Sequence, residues 1–280
     1  MSLHSVNSGQ SHSCQVGGTR YPVGNPLRSA TRISAFLCAA FRGLWRHRNL
    51  PGNPSRHDSA EWLHETCVRG LGAMHLHLQV HGTLPSRGLI VSNHLSYLDI
   101  LCYSAAVPCV FVSKAEVEQW PIFGKYARWS GSVFVRRHDR GDAARANAKV
   151  GESLKNGVPV VLFPEGTTSD GHRVQRFHST MLQPAIDAGA PITPCAIRYE
   201  LDDGDPAREV AWWGDMTLMP HVWNLFGKKS VCASIVFGDP IIACGDRKEL
   251  SHQLHERVLA LYNELDSETR IASTGPSAVR

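Results

Sequence analysis

A histidine and an aspartate stand five residues apart in Asn93-His94-Leu95-Ser96-Tyr97-Leu98-Asp99. Near neutral pH an imidazole takes a proton from a hydroxyl, and a carboxylate on its second nitrogen fixes the tautomer and stabilises the imidazolium that forms. The pair therefore has the makings of a general base. Its spacing sets a condition. At about 3.6 residues per turn, positions i and i+5 of one helix point roughly 140° apart, so the side chains meet only if the chain turns between them. Ser96 is the expected turn residue, capping a helix from about Tyr97, with His94 outside the helix and Asp99 in its first turn. A blander reading is local: Ser-x-x-Asp is a capping-box-like pattern, and aspartate is favoured at any helix N-terminus.

A second polar stretch, Phe163-Pro164-Glu165-Gly166-Thr167-Thr168-Ser169-Asp170-Gly171, follows a β-branched run. Glu165 can accept a hydrogen bond from a substrate hydroxyl, and Gly166 allows close backbone approach to a ligand. The threonines and backbone N–H groups can donate to a phosphate. An ordinary Gly- and Asp-rich turn is the competing reading. Gly131-Ser132-Val133-Phe134-Val135-Arg136-Arg137 reads as a strand ending in two arginines, which bind phosphate bidentately or simply meet solvent. Pro191 and Pro194 cannot donate to a sheet ladder, which places them at an edge or in a rigid wall. His75 and His77 share a strand face as two metal ligands would. No Asp, Glu or Cys lies close by to complete a set, so a solvated face is expected and no metal.

The elements that must carry these residues follow from apolar pattern. Leu89-Ile90-Val91 and Val158 to Phe163 read as buried strands that deliver polar groups at their carboxyl ends, where open α/β sheets bind ligands. Further strands are expected at 76–80, 110–112, 132–135, 192–199 and 231–237. Helices are expected at 58–72, 98–106, 120–129, 140–156, 180–188, 215–226 and 247–265. Strands alternating with helices imply an α/β fold with a mostly parallel or mixed central sheet flanked by helices.

Residues 1–27 are rich in Ser, Gly, His and Asn and are expected to be a disordered tail without a leader peptide. In 28–73, Ile33, Phe36, Leu37, Ala40, Phe41, Leu44 and Trp45 recur at helical spacing among arginines. That run is too short to cross a bilayer, which needs ~20 residues. It suits an amphipathic helix lying in a membrane interface, or a surface helix packed on the core. The α/β domain is expected over 74–266 and a flexible tail over 267–280.

Composition excludes less. The 280 residues carry a formal net charge of +4, with 42% hydrophobic and 19% charged residues. This suits a globular protein able to meet an anionic membrane surface, and does not by itself argue for nucleic acid. The eight cysteines include no C-x-x-C, which argues against a zinc ribbon or a disulfide-stapled domain and for a reducing compartment.

Taken in order, these stretches resemble the 1-acylglycerol-3-phosphate acyltransferases, the PlsC-like glycerolipid acyltransferases. Asn93, His94 and Asp99 match N-H-x-x-x-x-D. Gly131, Phe134, Val135 and Arg137 match G-x-x-F-[IV]-x-R. Phe163, Pro164, Glu165, Gly166, Thr167 and Ser169 match F-P-E-G-T-R-S, and Pro191, Ile192 and Pro194 match V-P-[IV]-x-P. The N-terminal helices are similar to the family's membrane-docking element. The resemblance implies transfer of a fatty acyl group from acyl-CoA or acyl carrier protein to the sn-2 hydroxyl of 1-acylglycerol-3-phosphate, giving phosphatidic acid. His94 would be the base and Asp99 its partner, with Arg137, Glu165, Gly166, Thr167, Phe134 and Pro194 around the acceptor. No metal or organic cofactor and no nucleic acid is implied, and the protein would sit peripherally on the cytoplasmic face of the inner or plasma membrane. Thr168 stands where many members carry arginine; F-P-E-G-T-T-S-D-G members resemble enzymes that acylate other lysolipids, such as lyso-ornithine lipid. That acceptor is the alternative, ahead of a lipid hydrolase or a non-catalytic membrane protein.

Overall fold

Ile192 to Ile197 are all buried, although neighbouring side chains in a strand point to opposite faces. The sheet that holds them is therefore covered on both sides. In the computed structural model, which describes residues 13–16, 19–22, 24–50, 52, 54–120, 123–136 and 140–274, that sheet has eight strands.

The chain runs through a hairpin, β1 (Ser13–Val16) and β2 (Thr19–Pro22), then helices α1 (Pro26–His47) and α2 (Arg56–Met74). Next come β3 (Leu76–His81), β4 (Leu89–Ser92), α3 (Leu98–Ala106), β5 (Val110–Lys114), α4 (Phe123–Trp129), β6 (Val133–Val135), α5 (Arg140–Lys155) and β7 (Val160–Leu162). The last third holds α6 (Gln183–Asp187), β8 (Pro191–Leu201), α7 (Pro206–Glu209), α8 (Leu218–Gly227), β9 (Val231–Phe237), β10 (Ile241–Ile242) and α9 (Arg247–Thr274).

The sheet order is β3-β9-β8-β4-β7-β5-β6, with β10 beside β8. From β8 through β4, β7 and β5 to β6 all pairs are parallel, and β9 turns the sheet by running antiparallel to β8. The expected mixed α/β sheet is what forms. The all-apolar runs of β4 and β7 are fully buried, as parallel strands under helices are. Helix α9 packs on β8, β4 and β9, while α5 packs on β6 and β7. Helix α1 lies on α2 and α8. Asn25 and Pro26 start α1, and a Ser55–Asp58 capping box starts α2.

Several expectations change. Pro191 and Pro194 are not at a sheet edge, because β8 lies between β9 and β4. The Pro194 carbonyl accepts the Gly238 N–H at 2.9 Å, so its missing N–H faces the gap where β9 has ended and β10 has not begun. No ladder bond is lost there. His75 is not a strand residue but the left-handed cap of α2, with φ 55°, so it does not share a strand face with His77. Residues 13–16 and 19–22, expected within a disordered tail, pair as strands β1 and β2. Helix α9 continues to Thr274, past the expected boundary at 266. Residues 1–12 of the expected tail lie outside the described residues.

Candidate active site

Strands β4 and β7 are parallel neighbours, with Leu89 beside Val160 and Val91 beside Leu162. Their carboxyl ends therefore deliver the His94 and Glu165 stretches to the same edge. Where β4 leaves the sheet, Asn93 continues the ladder with its side chain. Its amide donates to the Ile197 carbonyl at 3.0 Å and accepts the Ile197 N–H at 2.9 Å. The next residue, His94, is thereby aimed off the strand end.

The turn between His94 and Asp99 brings them together. His94 Nδ1 donates to Asp99 Oδ2 at 2.7 Å. Helix α3 begins at Leu98, and Ser96 does not cap it: the Ser96 hydroxyl is buried without a partner. Asp99 does the work instead, its Oδ2 accepting the Leu95 and Ser96 N–H groups at 2.7 and 3.1 Å. Its Oδ1 accepts the Tyr199 hydroxyl at 2.6 Å. Asp99 has 0% exposure, and a buried carboxylate needs donors of this number. With Nδ1 held by Asp99, Nε2 is the imidazole nitrogen left for a ligand. The ring stacks on Phe163, with centroids 4.1 Å apart and planes at 8°, and its side chain keeps 18% of its exposure.

The second loop turns tightly. Gly166 N–H donates to the Phe163 carbonyl at 3.1 Å, closing a turn with Pro164 at its second position. Gly166 has φ 74°, a conformation in which a side chain would be strained. Ser169 N–H donates to the His94 carbonyl at 3.0 Å, and Trp212 N–H to the Leu95 carbonyl at 2.9 Å. His94 N–H reaches Glu165 Oε1 at 3.3 Å, whereas Glu165 Oε2 is buried without a partner. Burial pushes the Glu165 carboxyl up to about 8, helped by the Asp99 charge and opposed by the N–H groups of His94 and Gln175.

Beside this pair lies a cavity of about 740 Å³, within the ~300–1,000 Å³ usual for ligand sites. His94, Gly166, Thr167 and Thr168 supply polar lining; Phe111, Val135, Leu162, Phe163, Trp212 and Trp213 carry the apolar wall. Phe36, Leu37 and Ala40 of α1 and Leu63, Thr66 and Gly70 of α2 complete it. Tyr97, also on the wall, hydrogen-bonds His221 Nδ1 at 3.1 Å, while His221 Nε2 donates to the Ala211 carbonyl at 3.1 Å. Burial pushes the His221 imidazole down to about 4, so it is a neutral acceptor for the Tyr97 hydroxyl.

A family model described as Acyltransferase matches residues 77–198, the span from β3 to β8. Lyso-ornithine lipid O-acyltransferase of Pseudomonas aeruginosa is 35% identical over 244 residues, 84% of this chain and 93% of that protein. The chain belongs to the PlsC-like lysolipid acyltransferases. The Rhizobium meliloti protein of the same name is 33% identical over 252 residues, 84% of each chain. The 1-acyl-sn-glycerol-3-phosphate acyltransferase of Neisseria gonorrhoeae is 33% identical over 179 residues, 63% of this chain and 70% of its own. The crystal structure of the LPA acyltransferase PlsC from Thermotoga maritima shares the fold, with TM-score 0.63 and 22% identity over 86% of this chain and 96% of that one.

The acyltransferase motif residues separate by position. His94, Asp99, Glu165, Gly166 and Thr167 come together at one sheet edge. Phe134 and Pro194 do not line the cavity. Strand alternation puts Phe134 on the face of β6 opposite to Val135, and Pro194 is buried in β8 beside Val91. Arg137 lies outside the described residues. Arg136, Arg173 and Arg176 are exposed and are not on the cavity wall. Tyr199, Trp212 and Trp213 were not singled out from sequence. Tyr199 gave one usable signal, a phenol in a strand that opens with a mostly apolar run, since a buried tyrosine hydroxyl usually finds a partner.

Proposed function

We propose that this acyltransferase moves a fatty acyl group from an acyl thioester, on CoA or acyl carrier protein, to the free hydroxyl of a zwitterionic lysolipid of the lyso-ornithine type. One observation favours that acceptor. Among the described residues, the charged side chains on the cavity wall are Lys114 and Glu116, accompanied by His94 and His178, with no arginine. Thr168 stands on that wall where many relatives place arginine. A wall of mixed sign complements a head group with one carboxylate and one ammonium better than a phosphate dianion. The coverage of the Pseudomonas relative agrees. Phosphatidic acid synthesis is the second reading, favoured by Arg137 two residues beyond Val135 and by the Neisseria relative.

The mechanism follows the geometry. Nε2 of His94 takes the proton of the acceptor hydroxyl as its oxygen attacks the thioester carbonyl. Asp99 holds Nδ1–H and stabilises the imidazolium. The tetrahedral intermediate collapses, the C–S bond breaks, and the imidazolium returns its proton to the leaving thiolate. Gly166 and Thr167, on the cavity wall, meet the acceptor. Glu165 serves the His94 backbone rather than the acceptor, because its carboxyl turns to the His94 N–H and is off the cavity wall.

The enzyme works as a peripheral protein at the cytoplasmic membrane surface. No helix among the described residues is long and apolar enough to cross a membrane. Phe41 and Trp45 of α1 are 62% and 68% exposed, and Leu37 both faces outward and lines the cavity. Trp213 likewise is exposed and lines the cavity. Acyl chains can pass along these side chains from bilayer to site.

Labelled acyl-CoA and acyl carrier protein, each offered lyso-ornithine lipid, 1-acylglycerol-3-phosphate or no acceptor, test the reading. Ester formation on lyso-ornithine lipid supports it. Faster acylation of 1-acylglycerol-3-phosphate selects the second reading, and free fatty acid without acceptor would mean a hydrolase.

A further inference from the structure

We propose that Tyr199 is a positioning residue of the acyl-transfer site, its phenol holding one Asp99 oxygen so that the other stays on the His94 imidazole. The inference rests on the acyltransferase mechanism above and extends it to a residue outside all the family's motifs. Strand β8 outlasts its partner: β4 ends at Ser92, opposite Cys195, while β8 runs on to Leu201. Tyr199 sits on that overhang, which reaches the start of α3, and its hydroxyl donates to Asp99 Oδ1 at 2.6 Å. Both residues are buried, Tyr199 with 4% exposure.

The two Asp99 oxygens are not equivalent. Oδ2 receives His94 Nδ1 and two backbone N–H groups, whereas Tyr199 is the partner shown for Oδ1. Without the phenol, a desolvated carboxylate oxygen would be bare. The carboxylate would then gain by turning toward other donors, which takes Oδ2 off the imidazole. Tyr199 is not on the cavity wall, so it acts through Asp99. It remains a donor throughout, because burial and the Asp99 charge push its own ionisation well above the ordinary tyrosine range. The other titratable groups interacting with Asp99 are His94, Glu165, Cys102 and Tyr103.

Tyr199→Phe removes the hydroxyl and keeps the ring. Without that donor the carboxylate turns away from the imidazole, so the imidazolium loses its counter-charge and its ionisation moves to lower pH. The expected results are three. Turnover falls on the order of 10-fold, the size of one charged hydrogen bond. The acceptor KM changes less than about 2-fold, since substrate contacts are intact. NMR titration of the resting protein, with the His94 resonances assigned by His94→Gln, shows the imidazole titrating at lower pH in the variant than in the wild type. A His94 titration identical in Tyr199→Phe and wild type overturns the proposal, whatever the activity. A shifted titration in a protein that acylates no lysolipid keeps the Tyr199–Asp99–His94 coupling and sinks the acyltransferase mechanism instead. A turnover loss uniform across pH, with the titration unmoved, marks Tyr199 as structural only and also overturns it.

Discussion

Replacing Glu165 by glutamine keeps the shape of a protonated carboxyl and removes its ability to ionise. In the folded protein the Glu165 carboxyl holds its proton up to about 8, against an ordinary value of 4.5. Burial is the largest cause: the residue keeps 4% of its exposure, and one oxygen has no partner. The direction of the linkage follows. Between pH 4.5 and about 8 the unfolded chain has released this proton and the folded chain has not. The folded state then binds more protons, so stability falls as pH rises through that window and levels off above it. Below it the contribution is fully present. At ~1.36 kcal/mol per tenfold change in acidity, the gap is worth on the order of 5 kcal/mol.

Glu165→Gln lacks this loss. Melting temperatures of both proteins, measured from pH 5 to pH 9, should therefore diverge. They start close together at pH 5, and the glutamine variant gains steadily toward pH 9. At ~2.1 cal/mol/K of unfolding entropy per residue, a gap of that size is on the order of 8 °C for this chain. Taking the difference between the two proteins cancels the other titrating groups, including the histidines. A difference that stays flat with pH, or that widens toward pH 5, refutes the account: Glu165 would then be ionised in the folded state and available to a substrate as a charge.

His94→Ala should lose about 10²–10⁴-fold in acyl transfer while circular dichroism and melting temperature hold, and near-normal transfer by the folded variant would remove the general base. Asp99→Asn should be impaired on the same scale, through the wrong tautomer, with little change in acceptor KM; a rise in KM alone would make Asp99 a binding group. A double substitution of Phe41 and Trp45 by serine removes two exposed side chains whose burial in lipid is worth on the order of 3 kcal/mol together. It should weaken co-sedimentation with phosphatidylglycerol liposomes at least tenfold, and unchanged binding would show that α1 is not the membrane contact.

The site was legible where chemistry is local in sequence. His94 and Asp99 could be paired from one loop, and the buried runs before them fixed which sheet edge they share. Helix α3 and strand β9 follow from apolar pattern almost to the residue. What escaped depends on distant parts of the chain. Tyr199 lies one hundred residues from Asp99, and only the overhang of β8 past β4 brings them together. The placement of β8 inside the sheet was hidden because prolines normally mark edges, and here the break between β9 and β10 accommodates Pro194. Glu165 was legible as a site residue but not in its direction, since a loop carboxyl can face a ligand or the protein with equal local sequence. Ser96 misled for a related reason: the capping pattern is real, yet its aspartate alone carries the contacts.

Asp99 and Glu165 also show how one buried edge can hold two carboxyls in different roles. Their exposures are nearly equal, 0% and 4%, so burial alone does not sort them. Donors do. Asp99 collects an imidazole N–H, two backbone N–H groups and a phenol, whereas Glu165 faces only the His94 and Gln175 N–H groups, and its Oε2 has no hydrogen bond. Environments that push two acids apart divide the work of an active site. The well-supplied group can carry charge next to an imidazole that must become a cation. The other is pushed toward its neutral form by burial, and in that form it braces the His94 backbone without adding a second negative charge where a thioester carbonyl has to become an oxyanion.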